Sequence, residues 1–242
     1  MDFKSFVLGI IASIIATIII SVLRYIYIGG RSFIGFKKAL RLVVDASNGG
    51  INNIFISRKS YISHKDHGTA IEYISRAKKS IYYVGFWLAH GTEIGDISNS
   101  IKKLIYQKKV KVVIVFVNPD TNDVIKCCSK FLGISEEEIK NRVNVSLDKF
   151  IKIYNELDDK YKEYLSIRVH EVPLSASAFI LDNEEEDKCK ALVDYKLYNC
   201  TRDDSYGIEY NNANRPLCNS ISKSYIDIAN ESKIINSKAL IK

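Results

Sequence analysis

Charge is absent from residues 6–23, a run of eighteen residues that are almost all apolar. The marks of a cleaved leader are also absent, because only Lys4 supplies basic charge before the run and no A-x-A pattern follows it. In a helix, a stretch of this length spans roughly 27 Å, close to the thickness of the hydrocarbon layer of a bilayer. The sequence therefore predicts one uncleaved transmembrane helix, with residues 1–28 as the anchor and its short flank.

Paired cysteine spacings are absent too. The chain has five cysteines, an odd number, and none stands in a C-x-x-C pair, which is typical of reduced thiols in a cytosolic domain. Basic residues also indicate that the chain after the apolar run lies in the cytoplasm, because five Lys/Arg residues follow the run within residues 24–41. By the positive-inside rule, we expect a single-pass protein of the cell membrane whose C-terminal domain is cytoplasmic.

Positive charge is concentrated next to the predicted anchor. Residues 1–44 carry six Lys/Arg and one Asp, whereas residues 45–242 carry 29 basic and 27 acidic side chains. A juxtamembrane excess of this kind attracts anionic lipid. We therefore interpret residues 29–50 as a basic, partly helical connector with the lipid bilayer as partner. The nearly neutral remainder gives no reason to expect a nucleic-acid partner.

Residues 51–242 show no internal repeat and no low-complexity segment, so we predict one α/β domain. Buried strands are predicted at 81–88 and 110–117, with a helical pattern at 94–105 between them, which indicates a β-α-β unit with a parallel sheet. The other predicted elements are helices at 70–80, 121–164 and 221–229, and strands at 167–172, 177–181 and 191–197.

Few residues in the sequence suit a metal ion. His64 and His67 form an H-x-x-H pair, but neither Cys nor carboxylate companions stand at the spacing that metal sites require. We therefore expect no metal ion and no cofactor.

Three short patterns carry a resemblance to a known family. Residues 77–81 read A-K-K-S-I, a V-K-V strand ends in Asn118-Pro119, and a later strand ends in Asp182-Asn183. In this order they resemble one half of a phospholipase D-type fold, whose second such strand carries H-x-K-x(4)-D. The matching positions here hold Ser175, Ser177 and Asp182. The spacing of the motif is retained, and its histidine and lysine are replaced.

The resemblance implies a mixed sheet flanked by helices, preceded here by the transmembrane helix. It also implies that, in enzymes of the family, the motif histidine attacks phosphorus and the motif lysine holds the phosphate charge. A serine without an adjacent base is a poor nucleophile, and a serine cannot supply the charge of a lysine. We therefore assign no catalytic residue. Because family enzymes assemble a site from two motifs and this chain has one, the resemblance implies a homodimer.

Polar residues near the altered motif could bind an anion without cleaving it. The predicted ligand-binding positions are Ser175, Ser177, Asp182, Arg202, Ser205, Tyr206 and Glu209. The alternative for the two motif serines is that they face a cleft that has filled in.

The sequence thus favours a membrane-anchored, catalytically degenerate phospholipase D-like protein of a prokaryote. It would bind a phosphate- or nucleotide-type ligand or a protein partner in a signalling or defence role. One alternative is a phosphodiesterase or phospholipase in which His170 or His90 replaces the lost groups. Another is a membrane scaffold without a ligand.

Overall fold

The computed structural model describes residues 33–57, 69–88, 92–200 and 205–236. The chain divides into two units, residues 1–46 and residues 47–242. The described part of the first unit belongs to helix α1 (Phe33–Gly49), whose last residues lie in the second unit. Arg41 and Asp45 form an exposed ion pair on α1, one turn apart, at 3.7 Å.

The second unit contains the sheet and the remaining helices. Its described strands are β1 (Ile51–Phe55), β2 (Ser80–Gly85), β3 (Lys111–Val117), β4 (Leu165–His170), β5 (Ala176–Leu181), β6 (Lys190–Tyr195), β7 (Tyr206–Asn211) and β8 (Lys233–Ile234). Its described helices are α2 (Ala70–Ile74), α3 (Thr92–Lys108), α4 (Asn122–Leu132), α5 (Glu136–Glu156), α6 (Asp159–Lys162) and α7 (Pro216–Glu231).

The strands form one eight-stranded mixed sheet in the order β1-β7-β6-β5-β2-β3-β4-β8. Strands β2, β3 and β4 are parallel to one another, and every other neighbouring pair is antiparallel. The predicted β-α-β unit is confirmed, because α3 connects the parallel neighbours β2 and β3. The predicted class, a mixed α/β sheet with flanking helices, is confirmed as well.

Both faces of the sheet centre are covered, which is why β2 and β3 read as continuous apolar runs. Helices α3, α4 and α5 contribute Ile97, Ile125 and Leu147 to the core on one face. Helix α7 covers the other face and contributes Cys218 and Ala229. The strand residues alternate between these two cores, as the two-residue period of a strand requires.

Several element boundaries differ from the sequence predictions. Helix α2 ends at Ile74 and the chain turns before β2 starts at Ser80, so the helix predicted to reach residue 80 is shorter. Strand β2 ends at Gly85, although the apolar run continues to residue 88. The long helix α5 begins with a capped first turn, because Ser135 Oγ accepts a hydrogen bond from Glu138 N at 3.1 Å.

None of the helices in the described ranges is long and apolar enough to cross a membrane. The predicted transmembrane segment, residues 6–23, lies outside the described residues.

Candidate functional site

One edge of the sheet gathers the ends of several strands that carry polar residues. The parallel strands β2, β3 and β4 all finish there, as does β6, while β5 and β7 begin there. This edge is the C-terminal end of the parallel strands, which is the usual place for ligands in α/β sheets. It contains Ser177, and we name it the Ser177 edge.

Ser175 and Ser177, the two motif positions, differ in their exposure. Ser175 precedes β5, is exposed, and accepts a hydrogen bond through its carbonyl oxygen from Lys196 N at 2.9 Å. Ser177 lies in β5 and is 9% exposed. Its side chain shares a sheet face with Phe179. The Phe179 ring packs against the Tyr83 ring, with the ring centres 4.8 Å apart. The Ser175 hydroxyl is therefore the more accessible of the two.

Gly85, the last residue of β2, allows the close packing around Ser177. A Cβ atom at this position would lie 2.6 Å from the Tyr83 hydroxyl oxygen and 2.7 Å from Ser177 Cβ. Both distances are shorter than non-bonded carbon contacts in proteins. Tyr83 in turn donates a hydrogen bond to the carbonyl oxygen of Trp87 at 2.6 Å. A glycine at residue 85 is therefore required for the Ser177 side chain and the Tyr83 hydroxyl to lie this close to the end of β2.

His170 ends β4 at the same edge and is 3% exposed. Its Nδ1 accepts a hydrogen bond from Val172 N at 3.2 Å, so Nε2 carries the proton and donates to the Gly85 carbonyl oxygen at 3.2 Å. Burial lowers the pKa of His170 from 6.5 to about 4. The imidazole is therefore neutral at pH 7, and both of its nitrogens are engaged by the backbone.

A charged pair lies directly across from Ser177. Asp194 of β6 is the register partner of Ser177, and its carboxylate forms an ion pair with Lys196. The Lys196 ammonium also donates a hydrogen bond to Ser205 Oγ at 3.3 Å. Ser205 is 3% exposed, so this hydroxyl is held in place. The pair contributes one positive and one negative charge, and these are already bonded to each other.

Asp194 and Lys196 were not among the residues predicted from sequence. The available signal was their position at the end of a predicted strand that pairs with the motif strand. The sequence alone does not give the register that places Asp194 opposite Ser177.

Tyr206 begins β7 but turns away from Ser177. Its ring stacks on Tyr195 with ring centres 5.1 Å apart and an angle of 11° between the rings. The Tyr195 hydroxyl meets the Tyr210 hydroxyl at 3.1 Å. These tyrosines belong to the face that α7 covers, so Tyr206 reaches the Ser177 edge only through its backbone.

Asp182 lies at the other end of β5, about 17 Å from Ser177 at about 3.4 Å per residue. Its carboxylate accepts backbone hydrogen bonds from Lys78 N at 2.9 Å, Lys79 N at 2.7 Å and Ser80 N at 3.2 Å. The side chain is 7% exposed. Asp182 therefore fixes the start of β2 and does not reach the Ser177 edge.

Glu209 is also separated from the motif serines. It lies on β7, two strands across the sheet from β5, and its register partner Leu192 precedes Asp194 by two residues on β6. Its carboxylate accepts hydrogen bonds from Asn52 Nδ2 and Asn53 Nδ2, both at 2.8 Å. Glu209 therefore holds β1 against β7. Of the predicted positions that the structure describes, Ser175, Ser177 and Ser205 meet at the Ser177 edge together with the backbone of Tyr206.

Arg202 and His90 lie outside the described residues, as do His64 and His67. Among the described residues, no group of three or more His, Cys, Asp or Glu side chains is arranged to hold a metal ion.

The sequence matches no protein-family model, and no curated protein is significantly similar to it. Solved structures with a similar fold include Nuc, a phospholipase D family member from Salmonella typhimurium, at 15% identity and a TM-score of 0.39, covering 69% of this chain and 88% of that chain. Phosphatidylserine synthase from Haemophilus influenzae Rd KW20 matches at 12% identity and a TM-score of 0.46, covering 69% of this chain and 37% of that chain.

The archaeal chromatin protein TrmBL2, whose structure shows a mode of DNA binding, matches at 10% identity and a TM-score of 0.45, covering 97% of this chain and 72% of that chain. Similarities of this size do not assign a family to the chain.

Proposed function

We propose that this chain is a membrane-anchored, catalytically inactive phospholipase D-like protein that binds a phosphate- or nucleotide-type anion at the Ser177 edge. The observation that carries the proposal is the separation of the motif into two parts. Asp182 keeps a structural role at the start of β2 through three backbone hydrogen bonds. Serines occupy the positions of the nucleophile and the phosphate-binding lysine.

His170 supports the inactive assignment. A replacement nucleophile or general base needs an available ring nitrogen within reach of the reacting group. Both nitrogens of His170 bond to backbone atoms, and the ring is buried. A phosphodiesterase that uses His170 would first have to break at least one of these hydrogen bonds.

Lys196 is a cation that the Ser177 edge offers to an anion. It is bonded to Asp194 and Ser205, so a bound phosphate would compete with the Asp194 carboxylate for the same ammonium. Hydroxyls and backbone N–H groups would supply the remaining donors. In this proposal, two copies associate through the anchor or the domain, and ligand binding is reported at the membrane in a signalling or defence role.

The activity test uses the full chain in detergent micelles and the chromogenic substrate bis(4-nitrophenyl) phosphate. The native chain is expected to release no nitrophenol above the buffer rate, and so is the Ser177→Ala variant. The double variant Ser175→His, Ser177→Lys asks whether the remaining scaffold supports turnover. Release by the native chain that disappears in His170→Ala would refute the inactive assignment and establish the rearranged enzyme.

The binding test uses two substitutions that act in opposite directions on the same ammonium. With inorganic phosphate and adenosine 5′-monophosphate as probes in calorimetry, Asp194→Asn is expected to strengthen binding because Lys196 loses its competing partner. Lys196→Gln is expected to weaken binding at least about tenfold. Lys130→Gln, an exposed lysine of α4, is the control with the same change in net charge. Equal affinities in all four proteins would refute binding at this edge.

A further inference from the structure

A second cleft lies at the opposite edge of the sheet, where β6 begins and β7 ends. Its volume is about 400 Å³. The lining comes from the end of α1, the start of β1, the turn between β5 and β6, and the turn that leads from β7 into α7. All of these segments belong to the unit formed by residues 47–242. The cleft lies a full strand length from the Ser177 edge, about 17 Å.

Backbone contacts fix the shape of this cleft. Asn211 N donates to the Gly50 carbonyl oxygen at 2.8 Å, and Asn212 N donates to the Cys189 carbonyl oxygen at 2.8 Å. Gly50 has a φ of +92°, and a Cβ atom there would lie 2.8 Å from Arg215 Cβ and 2.9 Å from the Asn211 carbonyl oxygen. The segments are therefore joined directly to one another, and a ligand would meet a preformed site.

Two cations of the lining have no bonded partner among the residues that the structure describes. Lys188 forms an ion pair with Glu185. Within the described ranges of the chain, the side chains of Lys190 and Arg215 take part in no ion pair or hydrogen bond, although both line the cleft. Lys190 is half-buried at the first position of β6, and its ammonium has no counter-ion among the described residues. An anion in the cleft would supply the missing charge.

Amide groups surround these cations. Asn211 is the register partner of Lys190, and its side-chain amide makes no hydrogen bond within the described residues. Asn52 donates its amide nitrogen to Glu209, which leaves its amide oxygen as an acceptor. Amides offer both donors and acceptors, which matches the hydroxyl groups of a sugar. Asp187 on the rim adds a further acceptor.

The lining is poorly suited to a nucleobase. None of the described residues that line the cleft is aromatic, and Ile51 is its largest apolar side chain. Recognition of a base usually involves stacking on an aromatic ring. We infer that this cleft binds a phosphorylated sugar or polyol, with the phosphate held by Lys190 and Arg215 and the hydroxyls held by the asparagine amides.

The experiment is calorimetry on the full chain in detergent micelles. The probes are glucose 6-phosphate, ribose 5-phosphate, glycerol 3-phosphate and inositol 1-phosphate, with glucose, inorganic phosphate and adenosine 5′-monophosphate for comparison. At least one phosphorylated sugar or polyol is expected to saturate the protein and to bind about tenfold more tightly than inorganic phosphate or the nucleotide. Glucose is expected to produce no saturable heat.

The variants Lys190→Gln and Arg215→Gln are each expected to weaken that binding at least about tenfold. Lys130→Gln is the charge-matched control, and Lys196→Gln at the Ser177 edge separates the two sites; both are expected to bind as the native chain does. Thermal unfolding of each variant verifies that the fold is retained. The inference is overturned if no phosphorylated sugar or polyol binds saturably, if the nucleotide binds more tightly and this binding is lost in Lys190→Gln, or if sugar-phosphate binding is lost in Lys196→Gln but not in Lys190→Gln.

Discussion

Replacing Asp182 tests whether this motif residue has a structural role. Its carboxylate accepts three backbone hydrogen bonds at the start of β2, and hydrogen bonds to a charged group contribute about 1.5 to 3 kcal/mol each. These contributions are not additive, so we expect removal of the side chain in Asp182→Gly to lower the free energy of unfolding by about 3 to 5 kcal/mol.

The backbone conformation of Asp182 allows a graded series of variants. Its φ is +53°, in the left-handed region. Glycine adopts this conformation without strain, whereas alanine adds a cost of about 1 to 2 kcal/mol. Asparagine tolerates the conformation and keeps one acceptor oxygen, so it should cost only about 1 to 2 kcal/mol. The expected loss of stability therefore increases from Asp182→Asn through Asp182→Gly to Asp182→Ala.

The assay is urea unfolding of the full chain in detergent micelles, followed by the fluorescence of Trp87, the single tryptophan of the chain. Asp120→Asn is the control, because Asp120 is an exposed carboxylate at the other end of the sheet. We expect it to change the free energy of unfolding by less than about 0.5 kcal/mol. If Asp182→Gly lies within about 1 kcal/mol of the native chain, the three hydrogen bonds do not anchor β2 and the structural role is refuted.

Three further predictions concern the Ser177 edge and the apolar run of residues 6–23. Gly85→Ala should lower the free energy of unfolding by about 1 to 3 kcal/mol, because the new methyl group overlaps Ser177 and Tyr83; an unchanged urea midpoint would contradict this packing. His170 has a pKa of about 4 in the folded chain against 6.5 when unfolded, so the unfolded state binds more protons between these values. The contribution of the neutral His170 to the free energy of unfolding is then fully present above pH 6.5, and up to about 3 kcal/mol of it is lost as the pH drops toward 4. His170→Gln should therefore have a flatter profile of urea midpoint against pH. The full chain should sediment with membranes and resist a carbonate wash, whereas a chain without residues 1–28 should be released; sedimentation of both would contradict the anchor.

The central β-α-β unit could be predicted from the sequence because its signals are local. Uninterrupted apolar strands and a helical repeat between them identify β2, α3 and β3, and the structure confirms all three. Strands β1 and β7 were missed, because β1 (INNIF) contains two adjacent asparagines and β7 contains Glu209. Those polar residues are satisfied by one another across the sheet, a pairing that no local pattern reveals.

The candidate site could be predicted only in part. The motif spacing correctly located Ser177 in a strand and Asp182 just after it. The sequence prediction also grouped Asp182 and Glu209 with the serines, although Asp182 lies at the far end of β5 and Glu209 lies on β7. Conversely, Asp194 reaches Ser177 through the pairing of β5 with β6, and Lys190 and Arg215 meet in one cleft through the sheet and α7. These arrangements depend on the tertiary structure.

The pairing of β1 with β7 has a consequence for the order in which the protein is made. Asn52 and Glu209, which bond across these strands, are 157 positions apart in the chain. During synthesis, β2, α3 and β3 can therefore assemble early, while β1 waits for a partner until nearly the whole chain has left the ribosome. Unpaired strand edges are prone to pair with other chains. Translation that stops before residue 206 would thus leave β1 without a partner and open edges on β6 and β4, and we expect such truncated chains to aggregate rather than to form a smaller intact sheet.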